Sequence, residues 1–320
     1  MVDLTVVVLE GAYPSSVAIT LDLLGAAAHL APRLGVATPT WRVCSVDGGQ
    51  VELTGGTSVA TTRLPRRSES SAWVVPGLGT DTLPAVRERL ARPDARAAAA
   101  GLARHARAGG TVAASCSAVF LLGQAGLLEG RRVTTTWWLA PFLATDVPTC
   151  TVDADRMVCT DGNLITGGAA LAQTDLMLTV LRRRYGTELT DAVARALLVD
   201  ARQAQSPYVV PELLANGDEV VARVIAAVEA GLPDPPGVAA LASGLSMSER
   251  TLARHVTRAT GRSTLALIQA VKVRRARALL ETSRLSVEQV ALAVGYADPT
   301  ALRRAMKKAV GATPSSYRAG

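Results

Sequence analysis

Cys116 is the residue whose type and position most clearly suggest chemistry. It follows residues 111–115, a run of small and β-branched residues typical of a strand, and precedes 118–125, an apolar run that predicts a helix. A small nucleophile at such a strand-to-helix elbow lies at the N-terminus of the helix, whose dipole favours the thiolate and lowers the thiol pKa. The spacing therefore predicts an acidic, oxidisable thiol.

Basic side chains form a second chemical set, in the last third of the chain. Residues 238–318 contain one helical pattern twice, offset by fifty positions: a short helix, a tight turn and a second helix that ends at Gly261 or Gly311. Apolar residues four positions apart predict the inward face of each second helix. The outward faces then carry Arg250, Arg254 and Arg258 in the first copy, and Arg303, Arg304, Lys307 and Lys308 in the second. This is the pattern of a DNA-reading helix.

The positive charge is concentrated in the same region. Residues 237–320 hold 14 Lys and Arg against 4 Asp and Glu, a balance of +10, whereas the whole chain carries only +7 and the remainder is therefore −3. Phosphate neutralisation drives nucleic-acid affinity, so the asymmetry predicts a polyanionic partner for this part alone. The alternative is a solvated helical bundle whose basic face has no partner.

Length and composition bound the rest. A chain of 320 residues with 49% apolar content is large enough for two buried cores. We expect no membrane span, because no apolar run reaches about 18 residues, and no signal peptide, so the predicted location is the cytoplasm. The four cysteines lack short paired spacing and the three histidines lie far apart, which predicts reduced thiols and no metal site or cofactor.

Alternating strand and helix patterns fill the first two hundred residues. Predicted strands cover 4–9, 41–46, 72–75, 111–115 and 132–136, with short strands at 51–62 and a hairpin around 161–163. Predicted helices cover 16–30, 83–108 with an interruption near Pro93, 118–125, 138–143, 169–185 and 189–201. This alternation predicts the α/β class, a parallel sheet flanked by helices. Residues 203–217 are predicted to form a linker, with helices at 219–230 and 264–281 in the all-α part that follows.

The C-terminal repeats resemble the AraC-type transcription regulators over about the last hundred residues. The motifs that carry the resemblance are 247–254, 274–280, 287–291 leading into 295–299, and 311–318. The resemblance implies a double helix-turn-helix domain, 218–320, whose two recognition helices enter adjacent major-groove segments of double-stranded DNA. It places the base-facing positions at Arg250, Ala253 and Arg254, and at Thr300, Ala301, Arg303 and Arg304. Arginine at such positions suits guanine, because its fork reaches O6 and N7 together.

The first part resembles the ThiJ/PfpI branch of the class I glutamine-amidotransferase-like superfamily, often fused to an AraC-type module. The resemblance covers roughly residues 2–200, within a predicted first domain of residues 1–202. It rests on 74–77, the cysteine elbow, 126–132 with 134–135, and 164–168 leading into a helix with Asp175. It implies an amidotransferase-like domain for sensing or dimerisation. A small ligand would face Cys116 and the backbone N–H groups of Gly77 or Leu78 and of Ser117.

Two positions depart from that family's catalytic pattern. Ser16 stands where family enzymes usually place an acidic side chain, and Thr136 where a histidine commonly follows the threonine pair. Both still line the predicted pocket, but a cysteine without a base is a poor nucleophile. We therefore predict a homodimeric, ligand-responsive regulator rather than an enzyme, with RNA polymerase as a further candidate partner. A hydratase or amidase using Cys116 is the alternative, and an architectural DNA binder with an inert first domain is the third.

Overall fold

The computed structural model describes residues 2–65, 72–199, 202, 205, 218–310 and 313–314. The chain divides into two compact units, Met1–Gln205 and Ser206–Gly320. The division falls inside the predicted linker 203–217, of which Gln205 alone lies among the described residues.

Strands of the first unit build one large sheet and a small one. They are β1 Leu4–Val7, β2 Trp41–Ser45, β3 Gly49–Glu52, β4 Ser58–Arg63, β5 Ala72–Val75, β6 Thr111–Ser115, β7 Arg132–Val133, β8 Thr151–Val152, β9 Val158–Asp161 and β10 Leu164–Gly167. The large sheet has the order β3-β4-β2-β1-β5-β6-β10-β9, and its neighbours from β4 to β10 pair in parallel. The edge strands β3 and β9 pair antiparallel. The predicted parallel sheet is confirmed, with a hairpin at each edge.

Helices cover both faces of this sheet. They are α1 Pro14–Leu30, α2 Leu83–Ala91, α3 Pro93–Arg107, α4 Ala118–Gln124, α5 Ala140–Asp146, α6 Gln173–Tyr185 and α7 Thr187–Ala196. One apolar cluster joins Leu4 and Val6 of β1 to α1, α6 and α7, and the other joins Val7 to α3 and α4. Because successive strand residues face opposite sides and both sides are buried, the inner strands have continuous apolar sequences.

Several predicted elements of this unit have different bounds, among them the helix predicted at 169–185, which begins only at Gln173. The strand predicted at 132–136 ends at Val133, because the Thr134 N–H donates to the Thr166 hydroxyl and the Thr135 and Thr136 hydroxyls bond to Cys116. The helix predicted at 138–143 begins only at Ala140. The helix predicted at 189–201 is Thr187–Ala196; it ends where Leu198 takes a left-handed φ of 54°, and 200–201 lie outside the described residues.

Helix α1 also tests the membrane expectation. The segment 14–34 is long and apolar enough to cross a bilayer, by length and composition only. The prediction that no apolar run reaches this length is therefore wrong. Val17, Leu23 and Leu24 of this helix are nevertheless buried in the cluster that contains Leu4 and Val6 of β1. Its apolar residues thus include a face that packs on the sheet.

Helices form the described part of the second unit. They are α8 Glu219–Ala230, α9 Val238–Gly244, α10 Glu249–Thr260, α11 Thr264–Thr282, α12 Val287–Ala293 and α13 Pro299–Val310. Helices α9 and α10 form the first helix-turn-helix, α12 and α13 the second, and α11 joins them as predicted. Gly261 ends α10 with a left-handed φ of 66°, whereas Gly311 lies outside the described residues.

The two copies differ by one residue in their turns. Ser248 and Asp298, fifty positions apart, begin α10 and α13 by accepting the N–H groups of Thr251 and Ala301. The left-handed turn residues Ser246 (φ 54°) and Gly295 (φ 74°) are forty-nine positions apart. The constant offset of fifty is therefore wrong for the first helices, because the second turn holds one extra residue.

Candidate nucleic-acid interface and elbow cysteine

Helices α10 and α13 have equivalent buried and exposed faces. Leu252 and Val256 of α10 are completely buried, as are their counterparts Leu302 and Met306 of α13. All the predicted DNA-contacting residues lie on the opposite faces and are exposed, except Ala301, which is half-buried: Arg250, Ala253, Arg254, Arg258, Thr300, Arg303, Arg304, Lys307 and Lys308. Each helix thus has one apolar face in the core and one basic face open to a polyanion.

Some of the predicted DNA contacts also have protein partners. The Arg258 guanidinium lies 3.8 Å from a carboxylate oxygen of Asp218, which caps α8 by accepting the N–H groups of Val220 and Val221. Thr300 interacts with Asp298, the capping residue of α13. Hydrogen bonds from the Ala301 N–H, first, and from Thr300 hold the pKa of the Asp298 carboxyl below its usual value. Contact of Arg258 or Thr300 with a duplex would therefore compete with these interactions within the protein.

Cys116 lies at a strained elbow in the first unit. It occupies the two-residue connection between β6 and α4 with a left-handed φ of 55°, an uncommon conformation for a residue with a side chain. Its N–H donates to the carbonyl oxygens of Gly167, at 3.1 Å, and Gly168, at 2.6 Å, at the end of β10. The predicted elbow is confirmed, and the sheet fixes it from the neighbouring strand.

The predicted pocket residues meet around this sulfur. The Thr136 hydroxyl donates to Sγ at 3.0 Å, and a Cβ added at Gly77 would lie 3.1 Å from the Cys116 Cβ and 3.6 Å from the Ser16 Oγ. The Ser16 hydroxyl itself donates to the Ala170 carbonyl oxygen at 3.2 Å. These residues are nearly fully buried, as are Leu78 and Ser117. The glycine lets the β5–α2 loop approach the cysteine closely.

Burial reverses the predicted acidity of the thiol. Desolvation raises the pKa of Cys116, and the hydrogen bonds from Thr136 and Ser117 oppose this rise without cancelling it. The prediction of a lowered pKa is wrong, because only 1% of the residue is exposed and the thiolate would be taken out of water. Cys116 is a neutral thiol near pH 7.

This neutral, buried thiol leads to a labelling prediction. At pH 7.5 iodoacetamide should alkylate Cys116 far more slowly in the folded protein than in urea, and the folded rate should rise as the pH approaches the raised thiol pKa. Mass spectrometry of the peptide that contains Cys116 measures both rates, with Cys116→Ser confirming the assignment. Equal rates in folded and unfolded protein would contradict the buried geometry.

Sequence patterns missed two residues beside the elbow. A Cβ added at Gly77 would lie 3.4 Å from the Tyr13 ring. Burial raises the pKa of Tyr13, and the charge of the Cys116 sulfur once it ionises, together with that of Asp81, adds to this rise. Gln205 is 2% exposed although it lies in the predicted linker. No periodicity singles out either residue, because a loop position becomes part of a site only through the fold.

Gln205 is held by all the polar groups of its side chain. Its amide N–H groups reach the carbonyl oxygens of Thr135 (2.9 Å), Ala154 (3.1 Å) and Arg156 (3.1 Å), and its amide oxygen accepts the N–H of Ala169 at 2.9 Å. A Cβ at Gly168 would collide with this side chain. Thr135 donates its hydroxyl to the Cys116 carbonyl oxygen at 2.7 Å. The last residue of the first unit is therefore two hydrogen bonds from the elbow cysteine.

Comparison with known proteins agrees with this division. The DJ-1/PfpI family model matches residues 28–183, and a helix-turn-helix domain model matches residues 241–320. The HTH-type transcriptional regulator GlxA of Rhizobium meliloti is 28% identical over 275 residues, which are 85% of this chain and 82% of that protein. Isonitrile hydratase of Pseudomonas putida is 38% identical over 84 residues, 26% of this chain and 35% of the hydratase.

Solved structures agree in fold. An AraC family transcriptional regulator from Pseudomonas putida has a TM-score of 0.50 and 21% identity, and the match covers 62% of this chain and all of that one. A DJ-1/PfpI-type domain followed by a double helix-turn-helix defines a class of two-domain DNA-binding proteins. This chain carries an AraC-type helix-turn-helix domain after a DJ-1/PfpI-type domain, and it is similar to HTH-type transcriptional regulators over most of its length.

Proposed function

We propose that this regulator binds a specific operator through α10 and α13, and that a small-molecule effector bound near Cys116 controls the binding. The observation that carries the DNA part is the equivalence of the two helices. Each begins at a capped residue, each buries a leucine four positions from a second apolar residue, and each exposes arginines on the opposite face. Arginine can read guanine in the major groove, and adjacent lysines can neutralise phosphates.

The position of Gln205 supports control by an effector. A ligand that displaces Cys116 or Thr135 also moves the Thr135 carbonyl oxygen, to which the Gln205 amide donates. Gln205 is followed directly by the chain that leads to the DNA-binding unit. A shift of the elbow can therefore pass to that chain through two hydrogen bonds. The ligand drives this shift only if it binds the shifted elbow more tightly than the unshifted one.

Selection of binding sequences from random DNA tests the operator proposal. The parent protein should enrich one sequence, with two adjacent segments for its two recognition helices. Enrichment of that sequence as a repeated pair would support the proposed homodimer, since two linked modules gain from effective concentration at paired sites. Failure to enrich any sequence above random DNA would contradict sequence-specific binding.

The Gln205→Leu variant tests the effector proposal. It keeps the size of the side chain and removes its hydrogen bonds, so operator binding should persist while the response to effector is lost. A panel of isocyanides, small amides and α-oxoaldehydes provides the probes, and Gln124→Leu, an exposed glutamine in α4, is the matched control. A probe that changes operator affinity equally in the parent and in Gln205→Leu would rule out this route.

The same panel separates the regulator from the enzyme alternative. We propose that Cys116 contacts ligand without turnover, because Thr136 donates a hydroxyl hydrogen bond to its sulfur where a catalytic cysteine needs a histidine or carboxylate base. Cys116→Ser should leave operator binding within about 1 kcal/mol, since the change is nearly isosteric. Turnover by the parent that vanishes in Cys116→Ser would favour the hydratase or amidase function. We further propose that the protein acts in the cytoplasm and contacts RNA polymerase.

A further inference from the structure

Lys272 is a buried cation in the helix that joins the two helix-turn-helix motifs. It lies in α11 with 8% of its surface exposed, and its ammonium donates to the Gly295 carbonyl oxygen at 2.6 Å. The same ammonium lies 4.5 Å from the centre of the Tyr296 ring. Gly295 and Tyr296 belong to the turn between α12 and α13, so Lys272 reaches from the joining helix into the second motif.

The rest of this turn is held by two further contacts. The Tyr296 hydroxyl donates to the side-chain oxygen of Gln269, one helical turn before Lys272 in α11, at 2.8 Å. Gly295 has a left-handed φ of 74°, and a Cβ there would collide with the carbonyl oxygen of Pro233, in the segment that precedes the first motif. The turn of the second motif thus packs on α11 and on the approach to the first.

We propose that Lys272 is a positioning residue that fixes the second recognition helix relative to the first, so that both enter adjacent major-groove segments at one spacing. This proposal rests on the proposed function, since it requires both helices to bind DNA together. The Lys272 ammonium contacts Gly295 and Tyr296, which are not predicted base-reading residues. It acts through the Gly295–Tyr296 turn, which leads directly into α13.

The chemistry of the contact suits orientation better than stability. Burial removes water from the Lys272 ammonium and so lowers its pKa, and the charge of Asp234 opposes this change. An apolar side chain of similar length could fill the same space at no such cost. A charge-assisted hydrogen bond to one carbonyl and a contact with one ring face are directional, however, and they select one placement of the turn.

The test compares operator spacing in the parent and in Lys272→Met. The probes are the duplex selected by the parent, duplexes with either segment scrambled, and duplexes with one or two base pairs added or removed between the segments. Lys272→Met should bind each single segment like the parent but lose about tenfold or more of the gain from having both, the equivalent of one charge-assisted hydrogen bond. It should also tolerate altered spacing better than the parent.

Arg275→Met is the matched control, because it removes an exposed positive charge from the same helix. It should weaken all duplexes alike and keep the spacing preference. Tyr296→Phe removes only the hydrogen bond to Gln269 and should relax the preference for one operator spacing to a smaller extent. This variant provides the test of the positioning role if Lys272→Met does not fold. An unchanged spacing preference in both variants would overturn the positioning role. A parent that enriches only one segment would contradict the proposed function instead.

Discussion

Arg254→Ala and Arg304→Ala should each weaken binding to the selected operator by about 1–3 kcal/mol and relax the sequence preference at one position. Both side chains are exposed at equivalent positions, two residues after the buried Leu252 and Leu302. If each arginine reads one base, both variants should bind random DNA almost as well as the parent does. Fluorescence anisotropy with operator and random duplexes at several salt concentrations measures both affinities.

Lys308→Ala is the comparison that separates base reading from phosphate binding. As a proposed phosphate contact, this exposed lysine should weaken operator and random DNA alike and reduce the salt slope by about one unit. Arg258→Ala should have a smaller effect than Arg254→Ala, because Asp218 lies 3.8 Å from its guanidinium. Equal losses on both duplexes for Arg254→Ala would contradict the base-reading assignment.

Much of the fold can be predicted from the sequence because its signals are local. The apolar run at 4–9 and the interruption at Pro93 correspond to β1 and to the boundary between α2 and α3. The second helices of the repeat can be predicted because Leu252 and Val256, four positions apart, define one buried helix face. These signals depend on spacing along the chain, which the sequence contains in full.

Other features depend on contacts between distant residues. The one-residue difference between the turns could not be read from the sequence, because Ser246 and Gly295 share a left-handed φ but not a residue type. The position of Cys116 at a helix start predicts a lowered pKa, whereas its burial, which dominates and raises the pKa, comes from the folded sheet. The contacts of Gln205 cannot be predicted from its neighbours in the sequence, because its partners lie about fifty to seventy positions earlier.

The two helix-turn-helix motifs should be equally sensitive to the loss of their central leucines. Leu252 and Leu302 are both completely buried, so Leu252→Ala and Leu302→Ala should each lower the free energy of unfolding of the second unit by about 2–5 kcal/mol. The helices of each motif are short, α9 and α12 having seven residues each, and such helices depend on packing rather than on intrinsic helicity. Losses of this size approach the whole stability of a typical domain, so operator binding should fail at moderate temperature.

Leu292→Ala provides the matched control for both variants. It makes the same chemical change in the same unit, but Leu292 is 60% exposed, so the expected change is within about 0.5 kcal/mol. Native-state hydrogen exchange read by mass spectrometry measures the opening free energy of peptides from α10 and α13, with peptides from β1 and β5 of the first unit as an internal reference. Protection should fall in the second unit and persist in the first. A loss in Leu292→Ala as large as that in Leu252→Ala would show that these leucines do not form the core of the DNA-binding unit.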